Sequence, residues 1–262
     1  LNESGLIAEY KRDETDLGED VHIQIASFYP AILEEVKTLY AQTEACAGRI
    51  RIEMKEAKDG NYRIILTRLD VRGNLPAGPM GEAAKRGLER LASYGLVKKL
   101  ELETGVGFFY TSFGVCRSLI EEDGVLRAYI YDSIRRAGRF QDVKSSTRLE
   151  WNTDMEENEW IAEQVDIVAV SGIHPLFIMA RTEEPSEESL YMIQYLASRF
   201  GIEAKAALVC SNEKAVCERD GRIAARAKTM GVRYINREEL RKRNLGDILE
   251  EWVGQDGQRE TI

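Results

Sequence analysis

The chain has 262 residues, of which 44% are hydrophobic and 31% are charged, a composition typical of folded globular proteins. No stretch approaches the roughly 18–20 apolar residues that span a bilayer, and there is no signal-peptide core, so we expect a cytoplasmic protein that does not act at a membrane. The formal net charge of −9 argues against a protein that coats nucleic acid with its whole surface. At roughly 100–200 residues per domain, the length predicts two domains.

The charges are distributed unevenly along the chain. Residues 1–48 carry 3 basic and 10 acidic side chains, whereas residues 49–100 carry 12 basic and 6 acidic ones. Residues 101–262 carry 21 basic and 29 acidic side chains. A positive segment therefore lies between two acidic ones, and a local contact with nucleic acid stays open despite the negative total.

Hydrophobic periodicity and turn residues predict the elements of the first half of the chain. In chain order they are a helix over 30–47 and a hairpin of strands 49–54 and 61–69 around Asp59-Gly60. Residues 1–48 form an N-terminal segment ahead of this hairpin.

Residues 49–118 predict a winged-helix-like α+β connector. After a Pro- and Gly-rich loop, a helix runs from about Met80 to Tyr94 and ends at Gly95, and strands over 96–103 and 107–112 follow. Five cations of this helix and of the first strand are candidate phosphate contacts: Lys85, Arg86, Arg90, Lys98 and Lys99. The alternative is a solvated face, because lysine and arginine are usually exposed.

Residues 119–262 alternate helices with short apolar strands, which predicts an α/β layered domain with some parallel pairing. The predicted helices are Val125–Ala137, Ser186–Phe200, Glu213–Met230 and Arg237–Trp252. The predicted strands are Phe140–Trp151, Val165–Val170, Leu176–Ala180, Ala204–Cys210 and Val232–Ile235.

Two charged residues stand out on the apolar strands of this second domain. Asp166 lies at the start of one strand, where a carboxylate is costly without a partner, and Arg181 ends the next strand. In metal-dependent nucleases of the restriction-endonuclease type, carboxylates at such positions bind a divalent ion that activates water, and a nearby cation stabilises the charge on the phosphate.

From about Leu88 to Leu249 the chain resembles the CRISPR-associated ancillary nucleases that join a CARF sensor domain to a restriction-endonuclease-like (PD-(D/E)XK) three-layer domain. The matching segments are Gly124–Ile130, Val165–Ala169, Phe177–Thr182, Ala204–Val209 and Val232–Leu240. The resemblance implies a homodimeric endonuclease that cleaves DNA or RNA with Mg²⁺ or Mn²⁺ held by Asp166. It further implies activation by a cyclic oligoadenylate if an upstream sensor domain exists. On this resemblance, residues 1–48 are either the end of a CARF sensor domain that was removed, with Leu6–Tyr10 and Val21–Ile25 as its last strands, or a segment of a chain that never had one.

The chain departs from the family pattern at most of the catalytic positions. Arg127 and Ala128 stand where the helix of the family carries Glu, and Gln164 replaces another Glu. Met179 and Arg181 occupy the positions of the second-strand acid and lysine, so only Asp166 is retained. Four other acids could migrate into the site or remain solvated: Glu159, Glu163, Glu183 and Glu184.

Three hypotheses follow. The first is a nuclease-family protein with weakened or lost catalysis, in which Asp166 and Arg181 are the remaining catalytic positions and Mg²⁺ or Mn²⁺ binds only if the site is active. The second is a non-catalytic protein that keeps the fold and binds nucleic acid or a protein partner. The third is a winged-helix transcription factor with an α/β effector domain.

Overall fold

The structure is a computed structural model that describes residues 19–37, 50–56, 62–68, 79–102, 105–111, 113–151, 161–212 and 217–254. The described residues form two compact units, one extending to Tyr129 and the other beginning at Ile130. Within these ranges, no helix has both the length and the apolar character needed to cross a membrane.

The N-terminal unit combines helices with an antiparallel sheet. Its elements are α1 (Glu19–Ala26), α2 (31–37), β1 (Ile50–Glu56), β2 (Tyr62–Arg68), α3 (Pro79–Ser93), β3 (Val97–Leu102), β4 (Gly105–Tyr110), α4 (Phe113–Ile120) and the first residues of α5 (Gly124–Ala137). The strand order is β1-β2-β4-β3. The predicted β1–β2 hairpin and the succession α3, β3, β4 are therefore confirmed, while the contact between β2 and β4 joins the two hairpins into one sheet.

One apolar core lies among the helices of this unit. Gly95, with a φ of +74°, ends α3 in the left-handed conformation that glycine adopts readily, and Leu96 directly after it is fully buried. The core includes residues from α1, α2, α3 and α5: Ile25, Ile32, Leu91 and Val125.

The prediction of a strand at Val21–Ile25 is wrong, because these residues lie in α1. Apolar residues at every second position fit a strand, but Val21 and Ile25 also share one face of a helix. Ile25 is fully buried, whereas Ile23 on the other side is 40% exposed. The predicted helix over 30–47 is confirmed for residues 31–37; its remainder and Leu6–Tyr10 lie outside the described residues.

The C-terminal unit is a mixed α/β fold around a five-stranded sheet. After α5 its elements are β5 (Asp142–Trp151), β6 (Ile161–Ser171), β7 (His174–Arg181), α6 (Glu187–Ser198), β8 (Lys205–Cys210), α7 (Cys217–Thr229), β9 (Val232–Ile235), α8 (Arg237–Lys242) and α9 (Leu245–Gly254). The strand order is β5-β6-β7-β8-β9. The first three strands are antiparallel and the last three are parallel, which confirms the predicted α/β class and partial parallel pairing.

Both faces of this sheet are buried along its central strands β7 and β8. On one face, Phe177, Met179 and Leu208 belong to an apolar cluster that includes Leu190 and Ile193 of α6. The alternate residues of β6, β7 and β8 point to the other face and are equally buried: Ile167, Ile178, Ala207 and Val209.

The single helix predicted at Arg237–Trp252 is wrong, because the chain forms α8 and α9 with a break at Arg243 and Asn244. The Asn244 Oδ1 atom accepts a hydrogen bond from the Gly246 amide at 2.8 Å, the arrangement of a side chain that caps the start of a helix. A Cβ atom on Gly246 would lie 2.2 Å from the Cβ of Ala137, so glycine allows α9 to approach α5.

Candidate site at Asp166 and Arg181

Asp166 lies on β6 where the regular pairing with β7 ends. The last paired residues of the two strands are Ile167 and Ile178. Beyond them, the Asp166 Oδ2 atom accepts a hydrogen bond from the backbone amide of Ala180 at 2.8 Å. A side-chain carboxylate thus takes the place of a backbone carbonyl in satisfying this amide, which ties Asp166 to β7.

Arg181 is the second charged residue of the site, and it lies next to Asp166. Its Nη1 atom is 3.5 Å from the Asp166 Oδ2 atom and donates a hydrogen bond to the Ala180 carbonyl at 2.6 Å. The Asp166 side chain is only 15% exposed and that of Arg181 28%. At this burial the guanidinium offsets the cost of holding the carboxylate away from water.

Strand β8 fixes the backbone around Arg181. Arg181 pairs with Cys210 in the parallel ladder, and the Ser211 amide donates to the Arg181 carbonyl at 2.9 Å. The buried thiol of Cys210 contacts the carbonyl of Glu183 at 3.2 Å. These hydrogen bonds hold the end of β7 against β8 and so fix the backbone position from which the Arg181 side chain extends.

A thioether occupies the position where the family pattern has a second carboxylate. Continuing the β6–β7 register by one residue places Met179 opposite Asp166, and Met179 is buried in the apolar cluster with Leu208. Among the described residues, no group of three His, Cys, Asp or Glu side chains could hold a metal ion. Since Mg²⁺ and Mn²⁺ require several hard oxygen ligands, the described residues do not fit a catalytic divalent ion.

Of the four other acids proposed for the site, the structure describes the side chains of two. Glu183 and Glu184 are exposed in the segment after β7, and Gln164 is exposed on β6. Glu163 pairs with Leu149 in the backbone ladder. Glu159 lies outside the described residues, so the structure gives it no position.

Arg127, which stands in place of a family glutamate, makes a buried ion pair of its own. Its Nη2 atom lies 2.5 Å from the Glu121 Oε2 atom, and the two side chains are 5% and 28% exposed. Its neighbour Ala128 is fully buried in the apolar core. In α5, Arg127 and Ala128 therefore stabilise the N-terminal unit, one through an ion pair and the other through core packing.

Sequence reasoning missed three polar residues on β5 that lie across the strand pair from Asp166 and its neighbours. Ser145 pairs with Ile167 and Thr147 pairs with Val165, which places Ser146 between them, opposite Asp166. All three β5 residues are buried, and Ser146 has a φ of +51°, a conformation that is rare outside glycine. The signal in the sequence is three consecutive small hydroxyl residues inside a strand.

The five candidate phosphate contacts lie on α3 and β3 but do not behave alike. Arg90 pairs with Glu35, and the Lys99 Nζ atom lies 3.1 Å from the Glu89 Oε1 atom. Arg86 and Lys98 are exposed, and in the described ranges neither makes an ion pair. Lys85 lies within α3, which spans Pro79–Ser93.

The comparisons with known proteins add a fold-level likeness. No family model matches the chain, and no curated protein matches it. The structure resembles protein VC1899 from Vibrio cholerae, with a TM-score of 0.61 and 16% identity over 95% of this chain and 59% of that chain. It also resembles Can2 from Sulfobacillus thermosulfidooxidans, solved with cyclic tetra-adenylate, with a TM-score of 0.52 and 15% identity over 95% of this chain and 58% of that one. The chain thus spans less than two thirds of the length of either neighbour, and the likeness is one of fold.

Proposed function

We propose that this protein is a nucleic-acid-binding relative of the CRISPR-associated nucleases whose metal-dependent catalysis is weakened or lost. In this proposal the C-terminal unit is a restriction-endonuclease-like domain and the N-terminal unit a winged-helix-like connector. The mixed five-stranded sheet and the fold-level likeness to Can2 support the assignment.

The ion pair at Asp166 carries the proposal of weakened catalysis. The Asp166 Oδ2 atom already accepts a hydrogen bond from the Ala180 amide and lies beside the Arg181 guanidinium. Met179 offers a thioether where a divalent ion needs a hard oxygen ligand. A divalent ion would have to displace a bound cation and then find ligands that these residues do not supply.

Nucleic-acid binding rests on the exposed cations of the N-terminal unit. Arg86 and Lys98 are exposed, and they lie in the segment 49–100, whose 12 basic and 6 acidic side chains make it the positive part of the chain. Phosphate groups of DNA or RNA are the chemistry that such cations recognise. Because Can2 was solved with cyclic tetra-adenylate, binding of that ring nucleotide should be measured alongside DNA and RNA.

The test is to rebuild the missing ligands. We expect no heat from MnCl₂ added to the wild-type protein and no cleavage of plasmid or single-stranded oligonucleotides. The double variant Met179→Glu/Arg181→Lys supplies the second carboxylate and the compact cation, and should bind Mn²⁺ measurably. The same variant with Asp166→Ala is the matched control and should bind none.

Wild-type cleavage that requires Mn²⁺ and is lost with Asp166→Ala would overturn the version of the proposal in which catalysis is lost. Oligonucleotide binding is measured separately by fluorescence anisotropy. Failure of the wild-type protein to bind DNA, RNA and cyclic tetra-adenylate would overturn the proposal of nucleic-acid binding, whatever the metal titration shows.

A further inference from the structure

Two tyrosines lie one turn apart on the solvent side of helix α6. Tyr191 is 44% exposed and Tyr195 is 53% exposed, whereas Leu190 and Ile193 of the same helix are buried in the core of the unit. Side chains four residues apart on a helix are neighbours on its surface, so the two rings lie next to each other. Together they give α6 an open aromatic surface that the core does not use.

An arginine accompanies each of these tyrosines. The guanidinium of Arg226 on α7 lies 5.4 Å from the centre of the Tyr191 ring, and its Nη2 atom donates a hydrogen bond to the Tyr191 hydroxyl at 2.5 Å. The guanidinium of Arg199, which follows the last residue of α6, lies 6.0 Å from the centre of the Tyr195 ring. A cation at this distance is attracted to an aromatic ring, so both arginines are held beside the tyrosines. We call these four residues the tyrosine platform.

Further exposed charges flank the tyrosine platform. Arg222, one turn before Arg226 on α7, and Lys228 are exposed, and within the described residues neither makes an ion pair. Acids occupy the first turn of α6, and one of them, Glu187, interacts electrostatically with Arg226. The acids therefore lie at one end of α6 and Arg199 at the other. We expect a polyanion on this surface to lie towards Arg199 and the cations of α7.

The spacing of the two rings favours a single strand over a duplex. At a rise of 1.5 Å per residue, the Cα atoms of Tyr191 and Tyr195 lie about 6 Å apart along the helix axis. Consecutive bases of a duplex strand are stacked roughly 3.4 Å apart, and pairing holds them in the stack. A single strand can open to the wider spacing and stack one base on each ring while its phosphates contact the arginines.

We propose that the tyrosine platform is a binding site for single-stranded nucleic acid. Two bases stack on Tyr191 and Tyr195, and the phosphates beside them contact Arg199 and Arg226. The inference rests on the proposed function in that it takes this protein to bind nucleic acid. It adds a site in the C-terminal unit and a preference for unpaired strands.

Fluorescence anisotropy on the full chain tests the stacking contacts, with a labelled single-stranded oligonucleotide and a labelled duplex of the same length. Tyr191→Leu and Tyr195→Leu should each weaken binding of the single strand by about fivefold or more, since each removes the ring on which one base stacks. Both should leave binding of the duplex unchanged. Tyr191→Phe keeps the ring and should bind the single strand like the wild type. Ile173→Ala, which shortens a 75% exposed apolar side chain elsewhere in the unit, is the matched control and should change neither affinity.

The salt dependence of binding tests the phosphate contacts. Arg226→Gln should reduce the slope of log affinity against log salt by about 0.7 for the single strand, as expected for the loss of one phosphate contact. The same substitution should leave the slope for the duplex unchanged. Because Arg226 is exposed on α7, this variant measures the site without disturbing the core.

Tyrosine-to-leucine variants that bind the single strand like the wild type would overturn this inference and leave the proposed function standing. Equal losses for the single strand and the duplex would overturn it as well. A wild-type protein that binds neither would overturn the proposed function and this inference with it. Weaker binding accompanied by a changed mass in light scattering would assign the surface to contact between copies of the chain and overturn the inference too.

Discussion

The guanidinium of Arg181 lies 3.5 Å from the carboxylate of Asp166, and the same carboxylate oxygen accepts the backbone amide of Ala180. The two contacts differ in what their loss leaves behind. Removing Arg181 leaves a carboxylate that still accepts one hydrogen bond. Removing the carboxylate leaves both a cation and a backbone amide without this partner, so Asp166 carries more of the local stability.

We therefore expect Asp166→Ala to lower the free energy of unfolding by about 1–3 kcal/mol and Arg181→Ala to lower it by less. A double-mutant cycle in urea denaturation should give a coupling energy of about 0.5–2 kcal/mol. Asp142→Ala removes the exposed pair with Lys144 and is the control, with an expected change within about 0.5 kcal/mol. Zero coupling between Asp166 and Arg181 would contradict the ion pair.

Two neighbouring lysines of β3 allow a matched test of nucleic-acid binding. Lys98 is exposed without an ion pair in the described part of the chain, whereas Lys99 pairs with Glu89. Lys98→Glu should weaken oligonucleotide binding more than Lys99→Glu, because Glu89 already offsets the charge of Lys99. Removal of a phosphate contact should also reduce the slope of log affinity against log salt by about 1. Equal losses for the two variants would show that the Glu89 pair does not matter.

The buried pair of Arg127 and Glu121 predicts an asymmetry in stability. Glu121→Ala leaves a guanidinium that is 5% exposed without this carboxylate and should cost about 3 kcal/mol in urea denaturation. Replacing both residues, with Arg127→Met and Glu121→Leu, removes both charges together and should cost less than Glu121→Ala alone. A double variant less stable than Glu121→Ala would show that Arg127 stabilises the unit by its other contacts.

Two glycines in helices predict opposite outcomes for the same substitution. Gly246→Ala places a methyl group 2.2 Å from the Cβ of Ala137 and should lower the free energy of unfolding by about 1–3 kcal/mol. Gly221 lies in α7, and a methyl group added to it would meet no atom of the described residues within 4 Å. Gly221→Ala should therefore raise the free energy of unfolding by about 0.5–1 kcal/mol. Thermal unfolding of the two variants checks the sign of each change.

Local patterns predicted most elements of the second half of the chain, since apolar strands bounded by glycine are strong signals. The sequence could not show that β4 joins β2, because this pairing is between distant segments. It suggested a strand for Val21–Ile25, where alternation and helical spacing coincide over five residues. The break before α9 was also not predicted, because the helical pattern of apolar residues continues through it. Only the Asn244 side chain, which accepts a hydrogen bond from the Gly246 amide, marks the new helix start.

The candidate site was half predictable. A charged residue at the start of an apolar strand singled out Asp166, and the same reasoning selected Arg181. The proximity of Asp166 and Arg181 depends on the register of β6 and β7, which cannot be read from the sequence. The polar residues around Ser146 escaped notice because serine and threonine are ordinary in strands, and only the paired structure places Ser146 opposite Asp166.

The left-handed turn of the backbone at Ser146 has a consequence for the outer edge of the C-terminal sheet. In the described sheet β5 is a ten-residue edge strand, long enough to recruit a strand from another molecule and begin aggregation. Ser146 interrupts its extended course at mid-length, and exposed charges at Asp142, Lys144 and Arg148 line the rest. We therefore expect Ser146 and these charges to oppose pairing of this edge with a strand of another molecule.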